Sequence, residues 1–203
     1  MPRPSGGDRL AARKARRERH AAETDPDVVM NAAARFLEAR QRSVAEVRKH
    51  LAESSYPAEL VERTIERLLE LRWLDDEEFA RSWVESRDRA HPRGRDALRR
   101  ELTLKGIDRT LVAQVLDERA EGRTEDASEG FAEAEEGSAD VRAAARLLAR
   151  KRPTLERVAD VRQRRQRAYA LLARNGFDAE VCREAIAAYV READAAEDGG
   201  DED

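Results

Sequence analysis

The sequence predicts an all-α protein: a curved array of three tandem three-helix repeats with flexible charged termini. Two observations carry this reading. Apolar residues recur at helical spacing between clear start and stop signals, and the same pattern returns three times along the chain. A third sets the proportions: the 203 residues are 40% hydrophobic and 40% charged, a balance that suits exposed helices better than one thick core.

The tract from Leu74 to Leu116 is the clearest. Asp75 can accept from the free amides of a first helical turn, Glu78 can complete a capping box, and Leu74 can pack against Phe79 across the start. Phe79 and Trp83 then share a helical face and read as core. Leu98 and Leu102 repeat that spacing on a second helix, Gly106 supplies the left-handed residue that ends it, and Asp108 caps a third helix carrying Leu111, Val112, Val115 and Leu116.

Both flanks carry relatives of this unit. In the first, Phe36 and Arg40 take the places of Trp83 and Arg87, Val47 and Leu51 those of Leu98 and Leu102, and Leu60, Val61 and Ile65 those of the third helix. In the last, Leu147 and Lys151, then Ala168 and Leu172, then Val181, Cys182 and Ile186 follow the same order. The joint before each third helix is Ser54-Ser55, Gly106 and Gly176 in turn. The repeats are placed at 26–74, 75–118 and 141–191. Such units bury only part of their apolar face alone and gain by stacking in a row, which gives the curved array.

Net charge is -4, but the signs are segregated. Residues 1–20 hold seven basic and two acidic side chains and, without an apolar stripe, read as part of a basic flexible arm over 1–25, with a helix on binding left open. Residues 118–140 hold two basic and nine acidic side chains, and 119–140 reads as an acidic linker. Residues 141–191 hold thirteen basic and five acidic side chains, and 192–203, with seven acids and no base, reads as an acidic disordered tail. The acidic stretches read as solubilising, or as internal mimics of nucleic acid lying over a basic face. No long apolar run or signal segment is present, so the expectation is a cytoplasmic protein with no membrane contact. The single cysteine, Cys182, reads as a buried small hydrophobe.

Catalytic constellations are not found, and no enzyme, metal or cofactor is expected. His20, His50 and His91 are far apart, Asp75 and Asp76 fit a helix start, and neither a phosphate loop nor a nucleophile elbow occurs. What remains is positive charge. Arg93, Arg95, Arg99, Arg100 and Lys105 cluster at the second helix of the middle repeat, and Arg162, Arg164, Arg165, Arg167 and Arg174 on the second helix of the last. If stacking keeps equivalent helices on one side, these form a stripe able to follow a phosphate backbone or an acidic protein groove. The plainer account is that arginine stems cover apolar surface while their heads stay in water. A helix-turn-helix DNA reader fits poorly. The helix after Gly106 offers outward Arg109 and Gln114, and that after Gly176 offers Asp178, Glu180 and Glu184, so nucleic-acid contact would be to the backbone and sequence-independent. Nine aromatics, mostly at core-like positions, are too few for a base-stacking platform.

The segments Leu74-Asp75-Asp76, Phe79-Ala80, Pro92, Gly94-Arg95, Leu98, Glu101-Leu102 and Lys105-Gly106-Ile107 resemble the bacterial regulatory protein RecX family, modulators of the RecA recombinase. That family usually has a glycine two residues before the leucine of its Leu-Asp-Asp motif, where this chain has Arg72. The resemblance runs over about residues 30 to 190. It implies a curved array of three-helix repeats and a monomer that binds the RecA filament. It also implies weak contact with the backbone of its single- or double-stranded DNA and, most simply, inhibition of recombination and repair by RecA. The alternative is a sequence-independent helical DNA-binding protein with no recombinase partner.

Overall fold

The computed structural model describes residues 6–122 and 138–198, and every regular element among them is an α-helix. In chain order they are α1 (Gly6–Ala21), α2 (Pro26–Leu37), α3 (Val44–Glu53), α4 (Ala58–Glu70), α5 (Asp76–Ala90), α6 (Arg95–Leu104), α7 (Arg109–Ala120), α8 (Ala139–Leu155), α9 (Val161–Arg174) and α10 (Ala179–Asp198). After α1 they form three triplets, as the recurring pattern predicts. The turn before each third helix holds a left-handed residue: Ser55 at φ 70°, Gly106 at 78° and Gly176 at 83°. Glycine adopts this region without steric cost, so two turns use it and the first uses serine in its place.

The chain divides into two compact units. The first holds the described residues up to Phe79 together with Lys105–Ile107. Its core is the inward face of α2, α3 and α4, where Val29, Ala33, Val47, Leu51 and Leu68 are fully buried. Ser43 starts α3 with a reciprocal capping box: its hydroxyl accepts from the Glu46 amide at 3.1 Å, and the Glu46 carboxylate accepts from the Ser43 amide. Asp75 caps α5 by accepting from the amides of Glu77 and Glu78 at 3.0 and 3.1 Å.

Residues 1–25 read as an arm, and here the structure differs, because Gly6–Ala21 is helical. The helix is tied by its last turns. The His20 ring stacks on Tyr56 with centroids 4.2 Å apart, His20 Nδ1 donates to the Ser54 carbonyl at 2.9 Å, and Arg17 Nε donates to Ser55 Oγ at 2.9 Å. A helix fastened at one end needs no apolar stripe, so periodicity does not reveal it.

The second unit holds Ala80–Leu104 and the described residues from Asp108 onward. Leu98, Leu102 and Leu116 of α6 and α7 are buried, as are Ala144, Leu148, Ala168, Leu172 and Cys182 of the last triplet. Burial pushes the Cys182 thiol up from its ordinary value, in keeping with a packing role. The acidic stretch is shorter than 119–140: Arg119 belongs to α7, and Ala139 and Asp140 to α8. Its remainder at 123–137 lies outside the described residues, as do 199–203 of the acidic tail, whose first part continues α10.

At the centre of this unit Arg119 is 5% exposed. Its guanidinium donates to both carboxylate oxygens of Asp88 on α5, at 2.8 and 2.9 Å, and to Asp140 on α8. Desolvation works against the charge, but the two carboxylates outweigh it and raise the Arg119 pKa. The second Asp140 oxygen accepts from the Arg95 amide at 3.0 Å, at the start of α6.

One joint occurs twice. In the first unit Asp76 accepts from the Val44 amide at the start of α3 at 2.9 Å, Ser43 Oγ donates to the Lys105 carbonyl at 2.6 Å, and Gly106 lies so close to Ala45 that a Cβ would overlap it. In the second unit Asp140 takes the same place at the start of α6. There the Gly94 amide donates to the Asn175 carbonyl at 3.1 Å, and a Cβ on Gly176 would overlap Ala97. Each joint pairs the N-terminus of a second helix with an acid and a left-handed turn supplied by the next triplet. The helix start needs an anion and the turn needs a bare Cα, so both chemistries recur.

Arg119→Ala would strip Asp88 and Asp140 of the buried guanidinium between them and is expected to cost about 3–5 kcal/mol in urea unfolding, with little rescue by Arg119→Lys, which lacks the planar fork. Arg72 sits at φ 55°, at the position where the resembled family has glycine. Arg72→Gly should raise the urea midpoint by a margin worth roughly 0.5–1 kcal/mol. Burial alone would raise the Glu46 carboxyl, but bonds from Arg40, Lys105 and the Ser43 amide hold it at about 2. Its stabilisation is full above the unfolded value near 4.5 and is lost as pH falls toward about 2. Between pH 5 and pH 3, Glu46→Gln should therefore lose less stability than the wild type, by on the order of 1 kcal/mol.

Candidate interaction surface

The basic residues singled out from the sequence separate into engaged and exposed groups. Arg95 is engaged: its guanidinium donates to the Leu116 carbonyl at 3.0 Å and to Asp117 at 2.6 Å, holding the end of α7. Arg93 donates to Asn175 Oδ1 and lies 3.5 Å from Glu101, so it belongs to the joint before α6. Lys105 Nζ donates to Glu46 at 2.8 Å, beside the capping box of α3. Arg164 Nε donates to the Val158 carbonyl at 3.1 Å, folding back over the start of α9.

The exposed group lies in two settings, both within the second unit. On α9, Arg162, Arg165, Arg167 and Arg174 point into solvent and pair with no acid among the described residues. The helix runs Val-Arg-Gln-Arg-Arg-Gln-Arg and carries no carboxylate between Val161 and Arg174. Tyr169, 41% exposed, lies one turn beyond Arg165 on the same side.

The second setting is an open groove of about 590 Å³ between the end of α6 and the start of α7. Arg99, Arg100 and Arg109 rim it, and Thr103, Leu104 and Val112 complete its walls. Leu104 is 88% exposed, more than any other large hydrophobic among the described residues. Arg99 donates to Asp96 at 2.8 Å, an exposed pair on one helix turn. Asp108 caps α7 by accepting from Thr110 and Leu111, and those amide bonds lower its pKa.

Leu104 and Arg109 do not stand out in the sequence as partner contacts. Leu104 carries a signal all the same, because Leu98 and Leu102 mark the buried stripe of α6 and Leu104 lies about 200° around the helix from Leu102. An apolar residue on the outer face of a short helix is that signal. Trp83, read as core, is only half-buried: its indole N–H donates to Glu101 at 2.9 Å, and the Arg87 guanidinium lies 4.5 Å over the ring. The arginine over Phe36 is Arg42, at 4.1 Å, whereas Arg40 pairs with Glu46. At these rings the stems do cover apolar surface.

Among the described residues no group of three or more His, Cys, Asp or Glu is placed to hold a metal, and no helix is long and apolar enough to cross a membrane.

Three family models match the chain in order: the RecX first three-helix domain at residues 30–68, the second at 75–116 and the third at 139–186. A protein of Chlorobium phaeobacteroides named "Regulatory protein RecX" is 32% identical over 165 residues, which cover 81% of this chain and 95% of that protein. A namesake from Mycobacterium tuberculosis is 32% identical over 154 residues, 76% of this chain and 81% of its own length. The match to a Bacillus velezensis namesake is shorter, 36% identical over 92 residues and 35% of that protein. The crystal structure of RecX from Lactobacillus salivarius shares the fold at 18% identity, with a TM-score of 0.63 over 79% of this chain and 94% of that one. With three successive domain models and full-length relatives in agreement with the triplets seen here, the chain belongs to the RecX family of regulatory proteins.

Proposed function

We propose that this protein binds the RecA recombinase filament and its DNA and restrains RecA activity, acting as a cytoplasmic monomer. Family membership supports the RecA partner, and the exposed arginines support the two kinds of contact. The observation that carries most is the separation of positive charge into a polar face on α9 and a partly apolar groove at α6 and α7. A helix with four solvent-facing guanidinium groups spread around its exposed side and no carboxylate suits a phosphate backbone, which it would contact without reading sequence. An apolar floor between arginines suits protein.

The second reading, a DNA-binding protein with no recombinase partner, is favoured by the α9 face alone. The two readings separate in one titration series. Arg99→Glu with Arg100→Glu should abolish inhibition of RecA ATP hydrolysis and strand exchange while leaving the circular dichroism melt unchanged. Arg162→Glu with Arg165→Glu and Arg167→Glu should instead weaken binding to bare DNA. It should also make the plot of log affinity against log salt shallower, by about one for each phosphate no longer neutralised. If the wild type binds DNA yet leaves RecA hydrolysis untouched, the second reading holds. Unchanged inhibition by the Arg99 and Arg100 variant removes α6 from the working face.

A further inference from the structure

The groove between α6 and α7 has an unusual floor for a basic surface. Leu104 stands 88% exposed at the end of α6, with the buried Val112 of α7 beside it. Around them are three guanidinium groups, and no carboxylate lines the groove. Arg100 and Arg109 pair with no acid among the described residues, and Arg99 holds Asp96 in an exposed pair that a ligand carboxylate can replace at little cost. Asp108, the cap of α7, is turned onto the amides of Thr110 and Leu111.

This pattern is selective. A phosphodiester backbone would use the arginines but gain nothing from Leu104, and no aromatic ring in the groove offers a base to stack on. A purely apolar ligand would leave the guanidinium groups idle. Carboxylates fit their fork geometry, and a large side chain fits the floor. We propose that this groove docks an acidic peptide segment of a protein partner, which inserts one large apolar side chain over Leu104 and Val112 between Arg99, Arg100 and Arg109. The proposal rests on the reading of the chain as a regulator with a protein partner, and it names the chemistry of the segment recognised.

The test uses the full chain and fluorescence anisotropy with three labelled probes. These are a short glutamate-rich peptide with a central phenylalanine, the same peptide with alanine there, and a single-stranded oligothymidine. The phenylalanine peptide should bind about tenfold tighter than the alanine peptide. Leu104→Ser should erase that difference while leaving the oligothymidine affinity and the melt unchanged, since the side chain is exposed. Arg100→Glu with Arg109→Glu should weaken both peptides. Equal binding of the two peptides, or a difference that survives Leu104→Ser, overturns the proposal. Two other occupants would also overturn it. One is the chain's own segment, if the peptide binds only after residues 123–137, which carry Phe131 among acids, are exchanged for glycine and serine. The other is a second copy, if sedimentation shows a dimer that Leu104→Ser dissolves. RecA hydrolysis is measured alongside: a wild type without effect on RecA defeats the regulator reading, whereas inhibition without phenylalanine dependence defeats the groove alone.

Discussion

A single buried guanidinium organises the second unit. Arg119 needs two carboxylates because one would leave donors unsatisfied in a site with 5% exposure, and those carboxylates come from different helices, Asp88 on α5 and Asp140 on α8. The chain of contacts then closes on itself. Asp140 receives the Arg95 amide at the start of α6, and the Arg95 side chain donates to a carbonyl near the end of α7, the helix that carries Arg119. Four helices are held in register by one ring of polar contacts. An apolar plug of similar volume could match its stability, but it would not dictate which turn of each helix meets which.

The helices of the middle repeat were legible because their signals are local: Asp75 and Asp108 as caps, Gly106 as the left-handed stop, Leu98 and Leu102 as the stripe. The three-fold recurrence was legible for the same reason, down to Ser55 standing where the other repeats have glycine. What sequence periodicity misses is destination. Asp76 looks like a second acid at the start of its own helix, yet its carboxylate serves the start of α3. Arg95 is no different in the sequence from Arg99 and Arg100, but its side chain holds the end of α7 while theirs face water. Arg119 left a trace, since it follows Val112, Val115 and Leu116 on the buried stripe of α7. A charge on a core stripe asks for partners, and only the fold says which.

The same separation refines what positive charge means in this chain. Net charge is slightly negative, yet exposed arginines gather on α9 and at the groove of α6 and α7. On α9 the charge stands in open solvent, where salt screens it, whereas at α6 it stands beside the exposed Leu104.

The joint between triplets also has a direction. The starts of α3 and α6 each receive an acid and a left-handed turn from the triplet that follows, while the turn of the first triplet, at Ser54, is met by His20 of α1. The start of α9 is closed by its own Asp160, which accepts from Gln163 at 3.0 Å. A substitution at Asp76 or Asp140 therefore strikes the start of a helix in the preceding triplet, whereas one at Asp160 stays within its own.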